Sequence, residues 1–190
     1  MAPTGTHGVL AVPADLPALP RSPRLLVLGD MDSLSHGLAE GSARSRAADA
    51  HVWAALERVL LTRAQLGSRT CPVRWAASSE TARYHLDLLT RSANNVWSIR
   101  RGLDGADRVL LEELEYVRTE TMKADRTNRG RPADLVILIG QDHIYAPAVR
   151  RLRLLGVPTW VLQPGRFIAA DLYKAATAVT RLTPPAAAAA

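Results

Sequence analysis

The fold is decided by two stretches, Leu25-Leu26-Val27-Leu28-Gly29-Asp30 and Leu135-Val136-Ile137-Leu138-Ile139-Gly140-Gln141-Asp142. Each is a run of leucine and β-branched residues without polar alternation, which is typical of a strand buried on both faces. Parallel sheets built from such strands bind ligands at the carboxyl ends of the strands, and both runs end in aspartate. Converging carboxylates repel one another unless a cation joins them, so the pattern suggests a divalent metal site.

Segments of strand and helix character alternate through the rest of the chain. Predicted strands cover residues 24–29, 71–77, 96–99, 135–140 and 159–162, and predicted helices cover 45–66, 80–91, 105–124, 147–155 and 168–181. Repeated strand–helix units form right-handed crossovers. The pattern therefore predicts an α/β fold, a three-layer α/β/α sandwich with a mainly parallel central sheet.

Composition divides the chain into a domain and two ends. Residues 1–22 are rich in proline and are interpreted as a flexible lead, 23–182 as the domain, and the alanine-rich 183–190 as a disordered tail. The start of the chain lacks the basic and apolar regions of a signal peptide, and no apolar run is long enough to span a bilayer. We therefore expect a cytoplasmic protein with no membrane partner. The single cysteine, Cys71, excludes an internal disulfide framework and a cysteine-based zinc finger.

The charge of the chain favours an anionic partner. Lysine and arginine number 24 against 18 acidic residues, a net charge of +6, and only Lys123 and Lys174 are lysines. Arginine binds phosphate through a planar fork, so RNA is a plausible partner. Arg100 and Arg101 follow the third predicted strand and are the best candidates for phosphate contacts. A GC-rich genome would also explain the abundance of arginine.

The acidic candidates each have a structural alternative. Asp30 and Asp32 share a face if the strand continues through them, and they diverge if the chain turns. Asp142 is expected in the loop between a strand and a helix, where an aspartate can also close an Asx-turn. Asp104 and Asp107 fit a helix N-terminus, with Asp104 as the cap and Asp107 in the first turn. From periodicity alone, a place at the helix N-terminus is a better interpretation of Asp107 than a role in metal binding.

Four segments resemble NYN domains, a branch of the PIN-like nucleases. Asp30-Met31-Asp32-Ser33-Leu34-Ser35 is similar to their Asp-x-(Asp/Glu)-Asn-Leu opening, and Gly105–Leu111 to their Ala-Asp-x-x-Leu helix start. Ile139–Pro147 resembles their Ser-Gly-Asp-x-x-Phe-x-Pro segment, and Val149–Val157 the helix and Gly-Val that lead to the last strand. The resemblance spans about 24–180 in the right order and is greatest to small NYN-like proteins of GC-rich bacteria.

The resemblance implies a PIN-like fold, a Mg²⁺ or Mn²⁺ site and endoribonuclease activity on single-stranded or structured RNA. Asp30, Asp107 and Asp142 match the family's acidic catalytic positions, and Asp32 matches a variable acidic one, so these four are the implied metal ligands. Two or three such acids can hold Mg²⁺ with waters left in place.

Three positions depart from the family pattern, and one of them, Ser33, is also a candidate for nucleic-acid binding. Ser33 replaces an asparagine, Gln141 stands where a glycine precedes the catalytic aspartate, and Ile144 replaces a second aspartate. The last change removes a charge from the implied site. The Ser33 and Ser35 hydroxyls can hydrogen-bond a carboxylate or a phosphate, and we expect them with Arg100 and Arg101 in nucleic-acid binding.

Two other functions are compatible with the same residues. Asp30-Met31-Asp32 after an apolar strand also resembles the first motif of haloacid-dehalogenase-type phosphatases, in which Asp30 would be the nucleophile and Asp32 the acid/base. Ser78 and Lys123 would then contact phosphate. The third possibility is a catalytically degenerate PIN-like module that binds RNA or a protein partner, including a second copy of the chain.

Overall fold

The computed structural model describes residues 9–39, 46–66, 73–85, 95–101 and 104–182. Within them the strands are β1 Leu25–Asp30, β2 Val73–Ser78, β3 Asn95–Arg100, β4 Leu135–Ile139, β5 Thr159–Gln163 and β6 Ala178–Arg181. The helices are α1 Met31–Ala39, α2 Arg46–Gln65, α3 Ser79–Tyr84, α4 Gly105–Thr127, α5 Ala146–Leu154 and α6 Ala170–Ala175. A 3₁₀ turn, His143–Tyr145, precedes α5.

The six strands form one parallel sheet in the order β3-β2-β1-β4-β5-β6. The two runs that open the sequence are the central neighbours, with Leu25 opposite Leu135 and Gly29 opposite Ile139. The chain first moves outward from β1 to β3 and then returns to β4, from which it moves outward in the other direction. The direction of winding therefore changes between β1 and β4.

Helices cover both faces of the sheet. Val27, Trp75 and Ile137 face one apolar core, which α1, α2 and α3 close through residues such as Leu34, Leu56 and Ala82. Leu28, Leu138 and Val161 face the second core, which α4, α5 and α6 close through residues such as Leu110, Leu152 and Leu172. The predicted fold class, a three-layer α/β/α sandwich with a parallel sheet, is confirmed.

The β1–α1 junction settles how Asp30 and Asp32 are oriented. Asp30 is the last residue of β1 and α1 begins at Met31, with no loop between them. Asp30 lies on the α4 side of the sheet, whereas Asp32 points toward the end of β2. The alternative in which the two side chains share a strand face is wrong, because the helix turns Asp32 away.

The predicted helix at 168–181 is also wrong. Helix α6 ends at Ala175, and Ala178–Arg181 forms β6, which pairs with β5. Alanine at 175, 176 and 178 favours a helix, but Thr177, Val179 and Thr180 are β-branched and fit the sheet edge. Pairing with β5 outweighs the local helix preference.

The end regions of the chain are described only in part. Residues 9–22, which the sequence assigned to the lead, lie against the domain: Leu10 is buried and its amide donates to Thr62 Oγ1 at 3.1 Å. Leu16 and Leu19 pack on the same core. Residues 1–8, the predicted tail 183–190 and Cys71 lie outside the described residues, as does the second half of the helix predicted at 80–91.

A search of the described helices for a bilayer-crossing segment finds none with the required length and apolar character.

Gly29 leaves room for the indole ring of Trp75 to lie against β1. A Cβ atom at Gly29 would lie 2.1 Å from Cε3 of Trp75, its pairing partner in β2. We expect Gly29→Ala to lower the free energy of unfolding by about 1–3 kcal/mol or more, because the buried indole must move. Urea denaturation followed by circular dichroism measures this loss.

The control is Gly130→Ala, where the added Cβ would meet the tip of the exposed Arg24 side chain, which can move aside. Trp75→Leu in the Gly29→Ala background should recover part of the lost stability. Equal stability of Gly29→Ala and Gly130→Ala would contradict the close approach of the Trp75 indole to Gly29.

Candidate functional site

The candidate site lies at the carboxyl ends of β1 and β4. Open parallel sheets bind ligands in the crevice where the winding direction changes, because the loops there diverge to opposite faces. Asp30 ends β1, and Gly140, Gln141 and Asp142 follow β4. The first turn of α4 and the 3₁₀ turn before α5 border the same crevice.

Asp30 is held inside the protein by three hydrogen bonds. Its carboxylate accepts from Ser33 N at 3.0 Å, Ser33 Oγ at 2.6 Å and the Tyr145 hydroxyl at 3.0 Å. Only 2% of Asp30 is exposed. Burial raises the pKa of Asp30 to about 6, although the bonds from Ser33 and Tyr145 oppose the rise. Gly140 leaves room for this contact, since a Cβ there would lie 3.3 Å from Cε2 of Tyr145.

Tyr145 joins Asp30 to Asp107. Its hydroxyl contacts Oδ1 of Asp107 as well as Oδ2 of Asp30. A phenol carries one proton and donates to one carboxylate at a time, so the two acids compete for it. Burial raises the pKa of Asp107, with further contributions from the Asp142, Asp104 and Asp32 charges, against the lowering effect of the Tyr145 bond. Burial and the two carboxylates also raise the pKa of Tyr145, which stays a neutral phenol.

The Asp104 side chain does not cap α4 as the sequence suggested. Asp104 occupies the N-cap position with φ 58°, in the left-handed region, and makes no side-chain capping bond. Asp107 lies in the first turn of the helix, but its carboxylate points to Tyr145 in the crevice. The interpretation of Asp107 as a residue that only complements the helix dipole therefore misses its main contact.

Asp32 links α1 to the N-terminus of α3. Its carboxylate accepts from Ser78 N at 3.1 and 3.2 Å and from Ser78 Oγ at 3.1 Å. The same Ser78 hydroxyl caps α3 by accepting from Thr81 N at 3.2 Å. The contacts of Asp32 thus fix the end of β2 beside the crevice.

Asp142 is the open member of the group. Its side chain is 49% exposed, Oδ1 accepts from Ile144 N at 3.4 Å, and His143 Nδ1 lies 2.6 Å from Oδ1. The carboxylate therefore closes the 3₁₀ turn while one side of it faces solvent. Ile144 is partly buried against the α4–α5 core and supplies no polar group.

Gln141 holds the loop that follows β5. Its carbonyl accepts from Ala169 N at 2.9 Å, and its side-chain Oε1 accepts from Gly165 N at 3.1 Å. The departure from glycine at this position thus has a structural role that the sequence pattern did not reveal.

The donor atoms fit a hard divalent cation in kind, because they are carboxylate oxygens. The number of ligands that the protein can offer is small, because the described residues contain no group of three or more Asp, Glu, His or Cys side chains placed to hold one ion. The Tyr145 hydroxyl already lies between Asp30 and Asp107. Mg²⁺ needs only one or two carboxylates and otherwise keeps water. Asp107 and Asp142 fit that requirement, and Asp30 and Asp32 are engaged in protein hydrogen bonds.

Of the four expected nucleic-acid residues, Ser33 lies at the crevice, where its Oγ donates to Asp30. Ser35 Oγ instead lies 3.0 Å from Nε2 of the buried His85. Arg100 is paired with Glu112 of α4, with Nη1–Oε1 at 2.8 Å and Nη2–Oε2 at 3.3 Å. Arg101 is exposed just beyond β3. That strand is two positions from β1, about 10 Å at the usual strand spacing.

The residues of the phosphatase hypothesis lie apart. Lys123 follows Asp107 by 123 − 107 = 16 residues in one helix, a separation of about 24 Å, and Nζ pairs with Glu120 at 2.6 Å. The hydroxyl of Ser78, which that hypothesis expects to contact phosphate, is bonded to Asp32, the implied acid/base. Asp30, the implied nucleophile, is buried. This arrangement disfavours a phosphate pocket of that type.

Tyr145 is the site residue that sequence reasoning missed. It stands at the phenylalanine position of the Ser-Gly-Asp-x-x-Phe-x-Pro pattern, and no role was assigned to it from the sequence. Tyrosine in place of phenylalanine is the signal that the sequence offers for this role, because a buried tyrosine hydroxyl requires a hydrogen-bond partner.

No protein-family model matches the chain, and no curated protein matches it. Among solved structures, the fold is similar to the crystal structure of a protein of unknown function from Vibrio parahaemolyticus, with a TM-score of 0.52. The sequence identity is 15%, and the match covers 86% of this chain and 94% of the other. This likeness shows the shared α/β/α fold.

Buried Asp30 makes stability depend on pH. Because the pKa is about 6 in the folded protein against 3.8 for an ordinary aspartate, the folded state keeps a proton that the unfolded chain releases. The resulting stabilisation is present below about pH 4 and is lost as the pH rises through 6. We expect Asp30→Asn to gain about 3 kcal/mol relative to wild type between pH 4 and pH 7. Urea unfolding without added metal measures the difference.

The matched control is Asp134→Asn. The hydrogen bond from Arg24 lowers the pKa of Asp134, so its contribution is present at neutral pH and is lost as the pH falls. The two variants should therefore deviate from wild type in opposite directions. Parallel curves for wild type and Asp30→Asn would rule out a buried, proton-binding Asp30.

Proposed function

We propose that the protein is a Mg²⁺- or Mn²⁺-dependent endoribonuclease of the NYN/PIN-like type, acting on single-stranded or structured RNA in the cytoplasm. One observation carries the proposal. Asp30 and Asp107 share the Tyr145 hydroxyl at the crevice where the sheet changes its winding direction, and the charge of Asp142 acts on Asp107, although the protein as a whole has a charge of +6. Asp107 is bonded to the neutral Tyr145 hydroxyl, and Asp142 is half exposed, so the charge of both is left for an added cation.

Asp107 and Asp142 are the residues that would hold the ion. A divalent ion supplies an activated water and stabilises the charge that develops on the scissile phosphate. Tyr145 fixes the orientation of the Asp107 carboxylate, and Ser33 and Tyr145 keep Asp30 behind it. Asp142 meets solvent and is the first carboxylate that a substrate would approach. The arginines supply the long-range attraction for the polyanion.

Cleavage should depend on both carboxylates. We expect Mn²⁺- or Mg²⁺-dependent cleavage of fluorescent RNA by the wild type, and a loss of about 10–100-fold or more in Asp142→Asn and Asp107→Asn. Asparagine keeps the acceptor for Ile144 N or for the Tyr145 hydroxyl, so each substitution removes mainly the charge. Rates from gel electrophoresis as a function of metal concentration are the measurement.

Asp15→Asn is the matched control, because Asp15 is exposed beside the segment that packs on the α1–α2 side of the sheet. It should cleave as the wild type does. Cleavage that survives chelation by EDTA, or that is equal in the Asp142→Asn protein, would rule out this site as its source.

The second candidate is a PIN-like module that binds RNA or a protein partner without cleaving RNA. Two observations favour it: the Tyr145 hydroxyl fills the space between Asp30 and Asp107, and Ile144 supplies no carboxylate. In such a module the hydrogen bonds of Tyr145 replace a cation as the link between the two acids.

Tyr145→Phe separates the two candidates. In a ribonuclease, loss of the hydroxyl releases Asp107 from its orientation, so we expect slower cleavage and a higher Mn²⁺ requirement. In a degenerate module the wild type has no activity, and removal of the hydroxyl opens the space to a cation. Isothermal titration with Mn²⁺ would then show tighter binding by Tyr145→Phe than by wild type.

A further inference from the structure

The loop at 164–169, between β5 and α6, is anchored beside the crevice. Gln141 binds it at two points, through Gly165 N and Ala169 N, and Gln163 Nε2 donates to Gly165 O at 2.8 Å. The loop begins with the buried Pro164 and Gly165. Its conformation is therefore fixed from both ends by hydrogen bonds, and Ile168 and Ala169 add packing against the second core.

Phe167 stands at the centre of this loop and is 82% exposed. It is the only phenylalanine of the chain, and it contributes to neither apolar core. A single exposed apolar side chain is ordinary on a protein surface. Phe167 differs from such ordinary residues in its position, because an anchored loop holds the ring near the carboxyl edge of the sheet.

The anchoring brings the loop alongside the candidate site. Gln141 is the residue immediately before Asp142, and both of its loop contacts are direct hydrogen bonds. Arg166 is exposed next to Phe167 in the sequence. An aromatic face with an arginine beside it is the combination that single-stranded nucleic-acid sites use, since bases stack on the ring and the cation meets the backbone.

We propose that Phe167 is a stacking platform for one unpaired base of an RNA strand whose backbone passes the carboxylate site. The inference rests on the proposed ribonuclease function. It specifies that the RNA substrate is single-stranded where it meets Phe167. Every base has a π-face, so such a contact is tolerant of sequence. A protein partner is the weaker explanation because one ring falls far short of the apolar area that stable protein interfaces bury.

The test is RNA binding in EDTA, where metal-dependent cleavage is suppressed, measured by fluorescence anisotropy with a short single-stranded RNA. We expect Phe167→Ala to bind about tenfold more weakly, and Phe167→Trp to bind at least as well as wild type. Leu154→Ala is the matched control, since Leu154 is also 82% exposed but ends α5, far along the helix from the crevice. It should bind as wild type does.

Salt dependence and abasic RNA identify the contact as stacking. Phosphate contacts set the slope of log affinity against log salt, so Phe167→Ala should shift the line downward without changing its slope. A single abasic nucleotide moved along the strand should weaken wild-type binding at one position. The same abasic RNA should cost Phe167→Ala nothing further, because the contact is already lost.

Each other outcome overturns the proposal in a recognisable way. Equal RNA affinity of wild type and Phe167→Ala would remove the stacking platform and leave the ribonuclease proposal standing. Absence of RNA binding by the wild type at low salt would remove both. Self-association of the free wild type that is lost in Phe167→Ala, seen by sedimentation velocity without any change in RNA affinity, would assign the ring to a contact between protein copies.

Discussion

The parallel pairing of β1 with β4 is the constraint on which the other features depend. These two strands are buried on both faces and adjoin at the point where the winding direction of the sheet changes. The return from β3 to β4 carries α4 across the face opposite α1 and α2, which brings Asp107 to the end of β1. The residues after β4 then bring Tyr145 between Asp30 and Asp107. The site is thus a consequence of strand order as much as of side-chain choice.

The carboxylates at this crevice are costly for the folded protein. Burial raises the pKa of Asp30 and of Asp107, and the charges of neighbouring aspartates add to the effect on Asp107. Tyr145 relieves the cost only in part, because its single proton serves one carboxylate at a time. Perturbed acids that gather in a cleft are more common at functional sites than elsewhere.

The sequence predicted the central part of the fold well, because uninterrupted apolar runs such as Leu135–Ile139 have few alternatives to a buried strand. It failed where local preference and tertiary pairing disagree, as in β6. The contacts of Tyr145 with Asp107 and Asp30 span 38 and 115 residues and depend on the strand order. No periodicity encodes them. The resemblance to NYN domains indicated the acidic positions, but the hydroxyl between two of them emerged only from the folded chain.

Gln141 has a structural role at a position where the NYN-like pattern has glycine. A glycine at this position would leave Gly165 N without its side-chain acceptor, since Oε1 of Gln141 provides that bond. The backbone bond to Ala169 would remain, so the loop would keep one of its two anchors on this residue. The glutamine side chain therefore fixes this loop at the rim of the crevice, beside Asp142. Because Gln141 immediately precedes Asp142, its two bonds hold the loop that carries the exposed Phe167 beside the end of β4.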